Sequence, residues 1–176
     1  MEAKGRSLEE IKSEILRRAG KINPFERVQR EEVQGLVGRL SSLDPDLWGS
    51  EWGKLGSRYE LQGEAQEKRG EREAAGKTYY QAYEYYRIGR YPVLSSREKM
   101  NCYQGALRSF LRAAPYLDPP LERVEIPFEG KKVVGFSEGF TDGLEIAGSG
   151  QISPGNAELI RNTVFESYVP FVKPDS

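Results

Sequence analysis

The sequence predicts a mainly α protein: antiparallel helices to about residue 120, a small β-hairpin, then an irregular C-terminal tail. Three observations carry this. Apolar residues recur at spacings of three and four from Leu8 to Ala114. At Glu122 the period drops to two, with Val124, Ile126 and Phe128 alternating against Arg123, Glu125 and Pro127. From Gly139 onward clear periodicity is lost and glycines and prolines interrupt the short apolar runs. The expected organisation is a helical domain over 1–120, a hairpin over 121–137 and a divergent tail over 138–176.

The first helix opens at Ser7, with Glu10 three residues later completing a capping box, and carries Leu8, Ile11, Ile15 and Ala19 on one stripe. Arg17, Arg18 and Gly20 supply its stop signals. After Asn23-Pro24, Val33, Leu36, Val37 and Leu40 predict a second helix, with Phe25 and Val28 folded back beside it as anchors. A longer helix follows over 46–69, where Trp48, Trp52, Leu55 and Tyr59 form the stripe and Gly56 and Gly63 lie on the same cylinder. Each glycine costs a helix about 1 kcal/mol relative to alanine, so tertiary contact must support this element, and a neighbour can approach closely there.

Arg69-Gly70-Glu71 predicts a tight connection into a fourth helix striped by Ala75, Tyr79, Ala82, Tyr83 and Tyr86 and ended by Pro92. The tryptophan stripe is expected to pack on Tyr79, Tyr83 and Tyr86. The fifth helix follows Ser95 and Ser96, carries Met100, Tyr103, Leu107, Phe110, Leu111 and Ala114, and stops by Asp118-Pro119-Pro120. Cys102 sits just off that stripe and reads as an inert thiol. Glu129-Gly130 turns the hairpin, Pro127 marks an edge-like strand, and 157–167 is the helical candidate of the tail.

Charge and composition narrow the function. With 26 basic and 27 acidic residues the net charge is -1, so no global field favours nucleic acid or an anionic membrane. No 18-residue apolar span or apolar leader is present, and a soluble, cytoplasmic protein is expected. The single cysteine excludes an intrachain disulfide. The chain contains no histidine, which removes the usual base of serine and cysteine hydrolases and the commonest metal ligand.

Gly135-Phe136-Ser137-Glu138-Gly139 matches the G-x-S-x-G elbow that presents a nucleophilic serine. The residues after it are a poor helix start and no imidazole is available, so the match reads as chance in a glycine-rich chain. Glu9-Glu10, Glu31-Glu32 and the pair Asp44 and Asp46 lie near helix starts, where solvation and capping explain them. Gly148-Ser149-Gly150 is too short to cradle phosphate, and there is no cysteine pair for zinc. Catalytic, cofactor and metal residues are therefore all expected to be absent.

Tyrosine is the densest feature: Tyr79, Tyr80, Tyr83, Tyr85, Tyr86 and Tyr91 fall within thirteen residues. Six phenols cannot all face one core, so these are the candidates for lining an interface or pocket.

"WGKLGSRY" at 52–59 also resembles the opening of a tetratricopeptide repeat, through Trp52, Leu55, Gly56 and Tyr59. Lys68 occupies the position of a small residue in that pattern, and no second copy follows. What remains is a helix-hairpin resemblance, for which a peptide-binding module would present a concave groove lined by polar and aromatic side chains.

Taken in order, Asn23-Pro24-Phe25, Trp48 with Trp52, "YYRIGRYP" at 85–92 and "ALRSFLRAAPYLDPPLERVEIPFEG" at 106–130 resemble the N-terminal part of an α/β-hydrolase family. That family includes 2,6-dihydropseudooxynicotine hydrolase, the fungal polyketide-shortening hydrolases and FrsA-like esterases. The resemblance runs from about Ser7 to Gly135 and implies a helical cap that covers an active site and contributes to dimer contacts. The family's nucleophile, acid and histidine have no counterpart here. The expectation is a non-catalytic cap-like domain, free-standing or truncated, whose partner is a second copy or a hydrolase catalytic domain. One alternative is part of an esterase-like α/β-hydrolase whose catalytic domain lies on another chain or is missing from this sequence. The other is the tetratricopeptide-like module.

Overall fold

The computed structural model describes residues 6–117, 120–128 and 131–138. The chain divides into two units, Met1–Leu117 and Asp118–Ser176. The first holds five α-helices, α1 (Leu8–Arg18), α2 (Arg30–Arg39), α3 (Pro45–Lys68), α4 (Arg72–Gly89) and α5 (Arg97–Ala113), closed by a 3-10 turn at Ala114–Tyr116.

Side-chain caps set the starts of α1, α3 and α5. Ser7 N donates to Glu10 Oε2 at 2.7 Å while Glu10 N donates to Ser7 Oγ at 3.3 Å, the expected capping box. Asp44 Oδ1 accepts from Asp46 N and Leu47 N, both at 3.0 Å, ahead of Pro45 at the first helical position. Ser96 Oγ accepts from Lys99 N at 3.3 Å and starts α5. Between α3 and α4, Gly70 has φ +79, a left-handed conformation that lets the chain reverse within a few residues.

α3 and α4 are antiparallel, since Gly63 meets Tyr79 while Gly56 meets Tyr86. α4 and α5 are antiparallel as well, because Gly76 meets Tyr116 and Gly89 meets Cys102. α3 and α5 consequently run parallel, with Glu98 N donating to Asp46 Oδ1 at 3.1 Å at one end and Arg112 bound to Glu64 and Glu67 at the other.

The largest apolar cluster joins Ile15, Phe25, Val28, Val33, Leu36, Val37 and Leu40 to Trp52 and Leu55 of α3 and Tyr85 and Ile88 of α4. Phe25 and Val28 are buried as anchors of α2, as expected. Trp52 is fully buried, its ring 5.8 Å from Phe25, 5.6 Å from Trp48 and 6.4 Å from Tyr85.

One expected pairing is corrected. The stripe of Trp48, Trp52 and Tyr59 packs on Tyr85 and Ile88, with Trp48 Nε1 donating to Ile88 O at 3.0 Å and Tyr59 stacked on Tyr85 at 5.4 Å. Tyr79 and Tyr86 meet α3 at Gly63 and Gly56 instead, and Tyr83 turns to Phe110 of α5 at 5.2 Å. The reason is rotational matching. Both glycines and both tyrosines are two helical turns apart, so α3 seats one row in the other and swings its tryptophans toward α1 and α2.

In the second unit, β1 (Leu121–Phe128) and β2 (Lys131–Glu138) form the expected antiparallel hairpin, in register from Leu121 opposite Glu138 to Phe128 opposite Lys131. Ser137 pairs with Glu122 inside the ladder, whereas an elbow serine stands on a strand-to-helix turn. The 129–130 turn, Gly139 and the tail with its 157–167 helical candidate lie outside the described residues. Among the described residues no helix is long and apolar enough to cross a membrane.

Candidate functional site: a groove between α3 and α5

α3 and α5 come into close backbone contact where Gly49 faces Glu98 and Lys99. A Cβ at Gly49 would come within 2.7 Å of the Glu98 carbonyl carbon and the Lys99 nitrogen. Further along, the ring of Tyr86 enters from α4 between the helices. Added Cβ atoms would lie 2.7 Å from that ring at Gly56 and 2.6 Å at Gly105. The wedge floors an open groove of about 650 Å³ on the outer side of the helix pair.

The floor is held by a polar chain that runs from the buried Tyr86 and Glu60 out to the more exposed Arg108. Tyr86 Oη donates to Glu60 Oε2 at 2.8 Å, and Arg108 Nε and Nη2 donate to the two Glu60 oxygens at 3.1 and 3.2 Å. Burial, reinforced by the Glu60 hydrogen bond, pushes the Tyr86 phenol above its ordinary range. The bidentate bond to Glu60 raises the Arg108 guanidinium despite partial burial.

The rim is cationic. Lys54 bonds Glu51, which also accepts from Arg39 Nε at 2.6 Å, and Arg58 bonds Glu32. Burial raises the Glu51 carboxyl, but Lys54 and Arg39 more than offset this and hold it below the usual carboxylate range. Ser50, Ser57, Asn101 and Gln104 supply neutral donors and acceptors along the walls. Cys102 lies toward the closed end, its Sγ donating to Gly49 O at 3.1 Å, with burial pushing the thiol up to about 12. Such a thiol is a poor nucleophile, in keeping with its reading from sequence.

Tyr79, Tyr83, Tyr85 and Tyr86 are buried, Tyr80 is half-buried beside Tyr83, and Tyr91 is 60% exposed in the α4–α5 connection. Of these six, Tyr86 lines the groove. Tyr79 and Tyr85 end in polar sets like that of Tyr86. Tyr79 donates to Glu67 at 2.9 Å, where Arg112 also binds at 2.6 Å, and Tyr85 donates to Glu32, shared with Tyr59 and Arg58. Sequence reasoning missed these partners. The available signal was Glu60, Glu64 and Glu67 on α3 facing Arg108 and Arg112 one turn apart on α5, charges that read alone as solvated.

The groove can bind, orient and exclude water from one side of a ligand, but burial disfavours its thiolate and its cations Lys54, Arg58 and Arg108 are each paired with a carboxylate. Among the described residues no group of three or more His, Cys, Asp or Glu could hold a metal ion.

The chain is 31% identical over 121 residues, 66% of its length, to the curated protein named Alpha/beta hydrolase ucsC from Acremonium sp. It is 28% identical over 99 residues, 56% of its length, to Alpha/beta hydrolase pydG from Acremonium sp. These similarities support a relationship to α/β-hydrolases. The matched stretches make up 24% and 23% of those proteins, so the chain spans about a quarter of the length of the curated relatives it matches. No protein-family model matches the chain.

Proposed function

We propose that this chain is a non-catalytic helical module related to the α/β-hydrolases, comparable to a cap region, that works through protein contacts. Its partner is a second copy or a hydrolase catalytic unit. The observation that carries the reading is the partial similarity: two hydrolases are matched over about a quarter of their length by a chain that contains no histidine. Activating a serine needs a positioned base and backbone donors for the oxyanion, and 176 residues without imidazole offer no triad. The backbone placement of Ser137 within a ladder supports the same reading.

The test is turnover of p-nitrophenyl acetate by the purified chain beside Ser137→Ala. No saturable rate is expected from either. A saturable rate lost in Ser137→Ala would restore an esterase. Sedimentation at tens of micromolar, alone and with a separately produced hydrolase catalytic domain, reads the partner. A monomer indifferent to that domain would remove the proposed protein contacts.

A further inference from the structure

The geometry points to the α3–α5 groove as a docking site for an extended, acidic peptide segment of a partner polypeptide. This rests on the reading of the helical unit as a protein-contact module and names the chemistry of one contact.

Length comes first. From Ser50 to Leu61 the α3 wall rises by about 16 Å at ~1.5 Å per residue, which about five residues of extended chain cover at ~3.3 Å each. Neutral polar side chains along both walls, Ser57, Asn101 and Gln104 among them, can meet the alternating donors and acceptors of such a backbone.

Charge selects the side chains. Lys54, Arg58 and Arg108 are each more than half exposed, while the carboxylates that bind them are far less so, at 5% for Glu51, 20% for Glu32 and 11% for Glu60. A ligand arriving from solvent therefore meets the cations first. Glu98 is the acidic residue of the lining that opposes these three. The ion pairs do not exhaust the donors: the Glu60 bonds use Nε and Nη2 of Arg108 and leave Nη1, and the Glu51 bond uses one of three Lys54 protons.

The cations are also pre-positioned. Glu60 grips Arg108 with both oxygens, Tyr86 grips Glu60, and Gly56 and Gly105 hold the Tyr86 ring. Ordering a flexible arginine at a binding surface costs affinity, and here the core has already ordered it. Single-stranded nucleic acid fits less well, because Tyr86 is buried and presents no exposed ring face for bases to stack on.

The experiment uses the full chain and fluorescence anisotropy with three labelled seven-residue peptides of matched length. One carries three glutamates, one has glutamines in their place, and one has lysines. The glutamate peptide should bind at least about tenfold more tightly than the glutamine peptide at low salt and lose most of that advantage at 0.5 M salt. Lys54→Gln should reduce its affinity severalfold and Ser57→Trp, which fills the groove, should abolish binding. Lys77→Gln on α4 should change nothing. Circular dichroism confirms that each variant is folded, and Lys54→Gln removes a rim charge without touching the Tyr86 wedge. Equal binding of glutamate and glutamine peptides, preference for the lysine peptide, binding indifferent to Ser57→Trp, or no binding at all would overturn the inference. Those outcomes leave the module reading to its own test, since sedimentation with a catalytic domain can succeed when every peptide fails.

Discussion

Trp52 and Gly56 lie one turn apart on α3 and face opposite kinds of neighbour. Trp52 projects its own bulk into a cluster of Phe25, Trp48 and Tyr85, and its indole N–H has no hydrogen-bond partner among the described residues. Gly56 projects nothing and receives the ring of Tyr86, whose hydroxyl must then be satisfied by Glu60. On the tryptophan side, stability comes from buried volume, with one unsatisfied donor tolerated. On the glycine side, packing cannot be separated from a phenol, a carboxylate and a guanidinium. The two faces should therefore answer differently to loss of volume, added volume, loss of a hydroxyl, and pH.

The largest effect is expected from removing volume on the tryptophan side. Trp52→Ala should lower the unfolding free energy by about 3–5 kcal/mol in urea titration. Trp52→Phe should cost much less, because it keeps most of the ring and removes the orphan N–H.

Adding volume on the other side comes next. Gly56→Ala places a Cβ 2.7 Å from the Tyr86 ring and should cost about 1–3 kcal/mol in overpacking, partly offset by up to about 1 kcal/mol of improved helix propensity. Combining it with Tyr86→Ala should cost less than the two single changes added together. Simple additivity in that cycle would break the claim that the glycine exists to seat the ring.

Removing only a hydroxyl sharpens the contrast further. Tyr86→Phe keeps the wedge and deletes the bond to Glu60, and about 1 kcal/mol of loss is expected, since Arg108 still binds the carboxylate. A loss as large as that of Trp52→Ala would mean that the polar chain, and not the ring, holds the groove open.

The gentlest perturbation is pH, which removes no atom. Burial first, then hydrogen bonds to Glu67, Glu32 and Glu60, hold the Tyr79, Tyr85 and Tyr86 phenols above the ordinary tyrosine range. The folded state thus keeps these protons more tightly than the unfolded chain. Their contribution is fully present below about pH 10 and declines as pH rises beyond it. Absorbance at 295 nm should show these three of the ten tyrosines ionising only together with unfolding. Tyr86→Phe should make the alkaline loss of stability less steep with pH, because one fewer phenol proton is released on unfolding, whereas Trp52→Phe should leave that pH dependence unchanged.

Much of this architecture was legible along the chain. Ser7 with Glu10, Asp44 before Pro45, and Ser96 announced helix starts through side chains that bond their own neighbours, and Gly70 announced a reversal. Those are interactions over two to four residues, so the linear order contains them. The change of period at Glu122 likewise located the hairpin. The groove was not legible, because Arg108 and Glu60 are 48 residues apart and each looks like an ordinary surface charge.

Sequence by itself determined the helices, the turn at Gly70, the anchors Phe25 and Val28, and the lack of any imidazole for a triad. Which tyrosine faces which neighbour was decided only by tertiary structure. A helix carries residues on several faces at once, and its rotation is set when another surface accepts one of them. Here Gly56, Gly63 and Gly105 accepted Tyr86 and Tyr79, and that choice turned Tyr85 into the tryptophan cluster and opened the groove between α3 and α5.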